Sequence, residues 1–319
     1  MSKKKDKRKV ESEIPVKKIP GKRSYFDPKT IAAVLGVFIL LFLIYSIMPQ
    51  GSDQWNVRKD GVLSYTENRG RVDVNVLKTE SSGNYTLETI SFASKDYTVE
   101  GLLRIPSSDK KVPAIVILPG ATVPKEGTQG LAEIFSSLGY ASLGIEQRNR
   151  GSVNPDYDYN LFKEGKEPVE HKMVFDALRT VDVLKQDSRI DPKKIAIVGE
   201  SNGGRFAIIA TAIDPDIKGV IGISTSGYDM ESETAGIRDE TFIRFYRSID
   251  PDTYLGLISP RKLVMMHSVN DSIIPIDLAG RTFKQAKEPK QFYSVTTGSH
   301  GFSNGMRVPL EDELRLMFQ

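Results

Sequence analysis

Five short, mostly apolar runs constrain this chain more than any other feature of its sequence. They are Ala114–Leu118, Tyr140–Ile145, Ile195–Val198, Val220–Ile223 and Leu263–His267. Runs of this length, apolar without strict alternation, suit strands buried on both faces. Helical patterns lie between them. Gln129–Leu138 is one, ended by Gly139. Pro168–Gln186 is clearer, with Val174, Leu178 and Val181 on one face and Met173, Ala177 and Leu184 widening it. Tyr85–Phe92, Tyr97–Ile105 and Gln291–Val295 add strand character at either end. Strands that alternate with helices imply an α/β fold with a mostly parallel central sheet flanked by helices.

One of the apolar runs leads into a chemical motif. Ile195 to Val198 is followed by Gly199-Glu200-Ser201-Asn202-Gly203-Gly204-Arg205 and an apolar helix start from Phe206 to Thr211. A G-x-S-x-G pattern is weak alone, but between a buried strand and a helix it reads as a nucleophile elbow. Gly199 and Gly203 supply the small residues that a crowded turn needs, and the turn projects Ser201 from the carboxyl edge of the sheet.

A serine nucleophile needs a base, and the base needs an orienting carboxylate. The chain has three histidines. His171 lies in the first turn of a helix, upstream of the serine. His267 ends a strand. His300 lies in a loop between Gly298 and Gly301, after the last strand-like run, and is the expected base, with His267 the alternative. Asp271, in the loop after Leu263–His267, is the expected carboxylate. Asp277 is the fallback, although it opens the next helix, where an aspartate is often only a cap. Two backbone N–H groups are expected to form an oxyanion hole. One is Asn202, at the start of its helix; the other is Ala121, or next to it Thr122, in the loop after Ala114–Leu118. No metal or organic cofactor is required, and the absence of cysteine excludes a thiolate zinc site, a cysteine nucleophile and a disulfide framework.

Substrate-facing residues are less determined. Arg148, Arg150 and Arg205 are candidates to bind a carboxylate, or are loop braces. Tyr157, Tyr159, Phe162, Tyr228, Phe242, Phe245 and Tyr246 would line an acyl pocket, or pack a cap formed by residues 224–259. Asn84-Tyr85-Thr86 matches an N-glycosylation acceptor.

Charge is divided unevenly. Residues 1–29 carry 11 Lys and Arg against 4 Asp and Glu, whereas the remainder carries 33 against 37. The body is mildly acidic, so no nucleic-acid partner is expected. After the basic tail come 23 residues without a charge, 30 to 52. As a helix they would span ~35 Å, against a hydrocarbon core of about 30 Å. They show no polar stripe and no good cleavage site, so an uncleaved single-pass anchor at residues 30–50 is expected. The basic tail would stay in the cytoplasm, and the rest would lie outside the cytoplasmic membrane. The expected organisation is a tail at 1–29, the anchor at 30–50, a stalk with short strands at 51–84, such as Val72–Val76, and a catalytic domain at 85–319.

The motifs together resemble the α/β-hydrolase superfamily, in its dienelactone hydrolase and prolyl-oligopeptidase-like branch. The resemblance covers about residues 86–319. It rests on Gly101–Pro106, the strand into Leu118-Pro119-Gly120, the Gly199–Gly204 elbow, Asp271 before Ile274-Pro275, and Ser299-His300-Gly301-Phe302. Ile190–Ile195 before the elbow and Gln147–Gly151, similar to a D-x-R-G loop, fit the same branch. Pro119-Gly120 stands where that branch usually has His-Gly, and His267-Ser268 where it commonly has His-Gly or Gly-Gly. The resemblance implies a serine hydrolase acting on a small ester, and the uncharged run makes it a membrane-anchored one. Two alternatives are a peptidase of the acylaminoacyl or dipeptidyl type acting on short peptides, and a catalytically idle binding module.

Overall fold

The computed structural model describes residues 27–47 and 54–319. The chain divides into two compact units, Met1–Pro49 and Gln50–Gln319. In the first, residues Pro28–Ile47 form helix α1, and Ile31, Val34, Leu35, Val37, Phe38 and Ile39 are all exposed on it. Among the described residues no helix is long and apolar enough to cross a membrane. The side chains of residues 40–47, the second part of α1, lie outside those described, as does residue 48 onward in the expected anchor.

The second unit begins with a two-stranded antiparallel ribbon, β1 (Trp55–Val57) and β2 (Leu63–Tyr65). Then come β3 (Val74–Ser82), β4 (Tyr85–Ser94), β5 (Tyr97–Pro106) and β6 (Val112–Leu118). Helix α2 (Gln129–Ser137) leads to β7 (Ala141–Ile145), and α3 (Pro155–Lys163) and α4 (Val169–Gln186) lead to β8 (Ile190–Glu200). Helix α5 (Asn202–Ile213) precedes β9 (Gly219–Ile223). Helices α6 (Met230–Glu233), α7 (Glu240–Ile249) and α8 (Leu255–Ile258) precede β10 (Lys262–Ser268). Helix α9 (Ile276–Gln285), β11 (Lys290–Val295) and α10 (Arg307–Phe318) complete the unit. The main sheet has nine strands in the order β11-β10-β9-β8-β6-β7-β5-β4-β3. The first six in that order run parallel, and β5, β4 and β3 are joined by antiparallel pairings.

Period two along the strands divides the core into two layers. Ala114, Val116, Leu118, Ile195 and Ile197 face α4 and α5, where Val174, Leu178, Val181 and Phe206 join them. Their neighbours Ile115, Ile117, Ala196 and Val198 face α2 and α10, meeting Phe135, Leu310 and Leu314. A sheet buried on both faces is what the uninterrupted apolar runs require.

Residues 54–84 are not a free stalk. The Leu63 N–H donates to the Tyr254 hydroxyl at 2.9 Å, and the Tyr65 hydroxyl donates to the His171 carbonyl at 2.6 Å. Trp55 packs its ring on Phe162 and His171. Strand β3 extends the main sheet beyond the expected Val72–Val76, exposed along its whole length. Its sequence was opaque because an exposed edge strand needs no apolar face.

The segment 224–259 packs into the same core as the sheet, through Phe245, Ile249, Tyr254 and Leu255. Tyr159 and Phe162 of α3 stack with Phe242, Phe245 and Tyr246 of α7. These rings pack on one another at tilted and edge-on angles.

Two buried groups on α4 carry pH dependence. His171 is fully buried and stays neutral, its pKa lowered to about 3 by burial and then by Lys95. Glu170 is pushed up to about 8 by burial and the nearby Asp158, against the pull of Arg205. A carboxyl raised from 4.5 in this way stabilises the fold fully below its unfolded value, and that stabilisation is lost as pH rises through about 8. Between about pH 5 and 6.5 the buried neutral His171 gains stability as pH rises and offsets this loss, so the Tm is expected to fall mainly between pH 6.5 and pH 8, and Glu170→Gln is expected to flatten that fall. An equal fall in the variant, measured by calorimetry, would contradict the assignment.

Candidate active site

The site collects at the carboxyl ends of β6, β8, β9, β10 and β11, where parallel strands leave their loops on one edge. Ser201 sits between β8 and α5 with φ 52° and ψ −121°, a conformation that costs a non-glycine residue of order 1–3 kcal/mol. Neighbours hold it there. The Ser201 N–H donates to the Ile223 carbonyl at 2.9 Å, and the Thr225 hydroxyl donates to the Ser201 carbonyl at 2.8 Å. The Ser201 side chain does not cap α5. Its hydroxyl is thus not consumed by its own helix.

The glycines around it are needed for close approach. A Cβ on Gly203 would collide with the carbonyl oxygens of Leu118 and Pro119, and one on Gly199 with the Gly203 backbone. A Cβ on Gly204 would fall 2.6 Å from the Thr225 Cβ. The α5 backbone therefore lies directly against the end of β6, which brings the 119–122 loop to the serine. A Cβ placed on Gly120 would lie 3.4 Å from that of Ser201.

Asp271 and His300 come together from separate loops. His300 Nδ1 lies 3.0 and 2.9 Å from the two Asp271 carboxylate oxygens. A carboxylate only accepts, so Nδ1 carries the proton and Nε2 presents a lone pair. Asp271 Oδ1 also accepts the Ile273 and Ile274 N–H groups, each at 2.9 Å. Burial pushes the Asp271 carboxyl up, but the bonds from Ile274, His300 and Ile273 outweigh it and hold it below its ordinary value. His300 is partly exposed, and its loop is tied down by Ser224, whose hydroxyl accepts the Gly301 N–H at 3.0 Å.

The other histidines are placed elsewhere. His267 is fully buried in β10; its Nε2–H points at the Ile274 carbonyl at 2.7 Å, with Asp271 Oδ2 at 3.3 Å. It braces the 271–274 turn from beneath. His171 meets the Ser248 hydroxyl at 2.7 Å inside the core. Asp277 is exposed in the first turn of α9.

The loop after β6 is braced by residues 147–151. Gln147 Nε2 donates to the Pro119 carbonyl at 2.5 Å, and the Thr122 N–H donates to the Arg150 carbonyl at 2.7 Å. The Thr122 N–H is therefore committed elsewhere. Asn202 opens α5, and its side-chain amide donates to the Gly151 carbonyl at 3.1 Å. Arg148 is buried against Asp176 at 2.6 and 2.9 Å, with Asp96 at 2.9 Å. It is a brace and has no fork left for a ligand. Arg205 bonds Asn202, Tyr228 and the Ser226 carbonyl. Arg150 is exposed and 3.7 Å from Glu146.

Two features escaped the sequence. Glu200 and His300 line a common cavity of about 640 Å³ beside α2. Thr225 pins the elbow from the loop after β9. Neither sits at a patterned position. Among the described residues no cluster of His, Cys, Asp or Glu suits a metal ion.

Backbone crowding at the elbow predicts a sharp contrast between two glycines. Gly203→Ala is expected to destabilise the fold by about 3 kcal/mol or more, because backbone must move to admit the methyl. Gly130→Ala, on an open face of α2, is expected to change stability by less than about 1 kcal/mol. Urea midpoints check both, and a tolerant Gly203 would contradict the packing described.

The chain is similar to several known proteins. Residues 71–228, just under half of the chain, match the family Acetyl xylan esterase (AXE1). The uncharacterized protein YfhR of Escherichia coli (strain K12) is 25% identical over 240 residues, 68% of this chain and 74% of its own length. An acetyl xylan esterase from Paenibacillus sp. R4 superposes with a TM-score of 0.65 at 16% identity, covering 77% of this chain and 88% of that one. A glucuronoyl esterase from Solibacter usitatus superposes with a TM-score of 0.60 at 15% identity, covering 94% and 96%. The chain has the α/β-hydrolase fold, and it is a serine hydrolase.

Proposed function

We propose that this enzyme is a membrane-anchored esterase that cleaves small esters through an acyl-enzyme on Ser201. The observation that carries the reading is the His300–Asp271 pair on the sheet edge where Ser201 is held in a strained turn. Ser201 Oγ attacks the ester carbonyl while His300 Nε2 takes its proton. The proton then passes to the departing alkoxide as the acyl–oxygen bond breaks. Asp271 fixes the imidazole tautomer and stabilises the cation. The N–H groups of Asn202 and Ala121 receive the oxyanion, and the start of α5 adds its positive dipole end. Water, deprotonated by His300, then releases the acid and restores Ser201. The match to an acetyl xylan esterase family supports an ester rather than an amide substrate.

Anchoring is supported by the uncharged run from residue 30 to 52 and by the apolar side chains along α1. The basic tail then lies in the cytoplasm and the catalytic unit outside the cytoplasmic membrane.

Two outcomes are expected. A fluorophosphonate probe should label Ser201, and labelling should vanish in Ser201→Ala and His300→Ala. Asp271→Asn should lower kcat/KM on p-nitrophenyl acetate about 10⁴-fold. Labelling at another residue, or faster turnover of an aminoacyl anilide than of the ester, would overturn the reaction proposed. For the anchor, the full chain should sediment with membranes through a high-salt wash and be released by detergent. Release by salt alone would overturn it.

A further inference from the structure

Glu200 has no part in the mechanism above, yet it stands directly before Ser201 and shares a cavity with His300. The cavity lies between α2 and the loop that joins β11 to α10. Its charged and titratable lining is Glu200, His300, Glu133 from α2 and Arg307 from α10. Asp271 holds His300 at Nδ1. Two contacts tie Glu200 to the histidine loop. The Phe302 N–H donates to its carboxyl, and a Cβ built on Gly301 would sit 3.4 Å from its Oε2. The residues on both sides of the ester chemistry are thus joined through one carboxyl.

We propose, building on the triad reading, that Glu200 is a positioning residue for His300: it holds the His300 loop and supplies a negative charge that favours the imidazolium. Burial raises the Glu200 carboxyl above its ordinary value, and the Phe302 N–H and His300 offset only part of that rise. A negative charge on Glu200 and a positive charge on His300 favour one another. The imidazolium is the form that His300 takes as Ser201 attacks, so a nearby carboxylate stabilises the transition state. A carboxyl that only packed the turn would leave the ionisation of His300 unchanged.

The test is the pH profile of kcat/KM for p-nitrophenyl acetate, using the full chain in detergent micelles. Glu200→Gln keeps an oxygen to accept the Phe302 N–H and removes the charge. Its acid limb should move to lower pH by about one unit, because an imidazole that keeps Asp271 but loses a second nearby anion is a weaker base. Its kcat should fall with KM little changed. Glu200→Leu removes the acceptor as well and should lose more of kcat. An acid limb in Glu200→Gln that coincides with that of the wild type would overturn the proposal. If that variant does not fold, Glu200→Asp decides. Its charge is withdrawn by one methylene, so its limb should move the same way by less, and an unmoved limb would overturn the proposal. Wild-type turnover that did not depend on Ser201 and His300 would instead remove the triad reading, and this assignment with it.

Discussion

The approach of α5 to the end of β6 governs the rest of the site. It requires a helix backbone to touch the carbonyls of Leu118 and Pro119, which only glycine at 203 permits. That contact forces Ser201 into a positive φ, and the strain persists because Ile223 at the end of β9 and Thr225 just after it bond its backbone. A turn this constrained cannot relax to bury its hydroxyl. The same contact sets the distance between the serine and the 119–122 loop, so the nucleophile and one expected oxyanion donor are placed by a single packing decision.

The remaining groups reach the site because parallel strands end together. Asp271 follows β10, His300 follows β11, and Ser224 follows β9. Each lies in a loop, yet each is held. His267 braces the turn below Asp271, and Ser224 holds Gly301. On the other side, Gln147 and Arg150 brace the loop after β6, and Arg148 is locked by Asp176 and Asp96 beneath them. Loops carry the chemistry, while buried polar contacts supply the rigidity that loops lack.

Much of this was legible in the sequence because both sheet faces are buried. Strands such as Ile195–Val198 announce themselves as apolar runs, and their order with the helices implied a parallel sheet. Gly199 and Gly203 were legible since few residues fit such a turn, and the glycines around His300 marked its loop. The N-terminal part was harder. Strand β3 is exposed throughout, so its nine residues carry no burial pattern, and the β1–β2 ribbon is too short to show one. Its anchorage depends on Tyr65 and Tyr254, whose hydroxyl contacts no periodicity encodes. Glu200 was invisible for a related reason. It occupies a variable position of the elbow, and its significance comes from the loop that folds over it about 100 residues later.

Ser201 as covalent nucleophile is the claim on which the account rests. Acid-quenched rapid mixing with p-nitrophenyl acetate measures it most directly. The account predicts a burst of p-nitrophenolate approaching one equivalent per chain, with an acetyl group on the peptide that contains Ser201. Turnover of the ester that persists in Ser201→Ala, or an acetyl group found on a different residue, would contradict it.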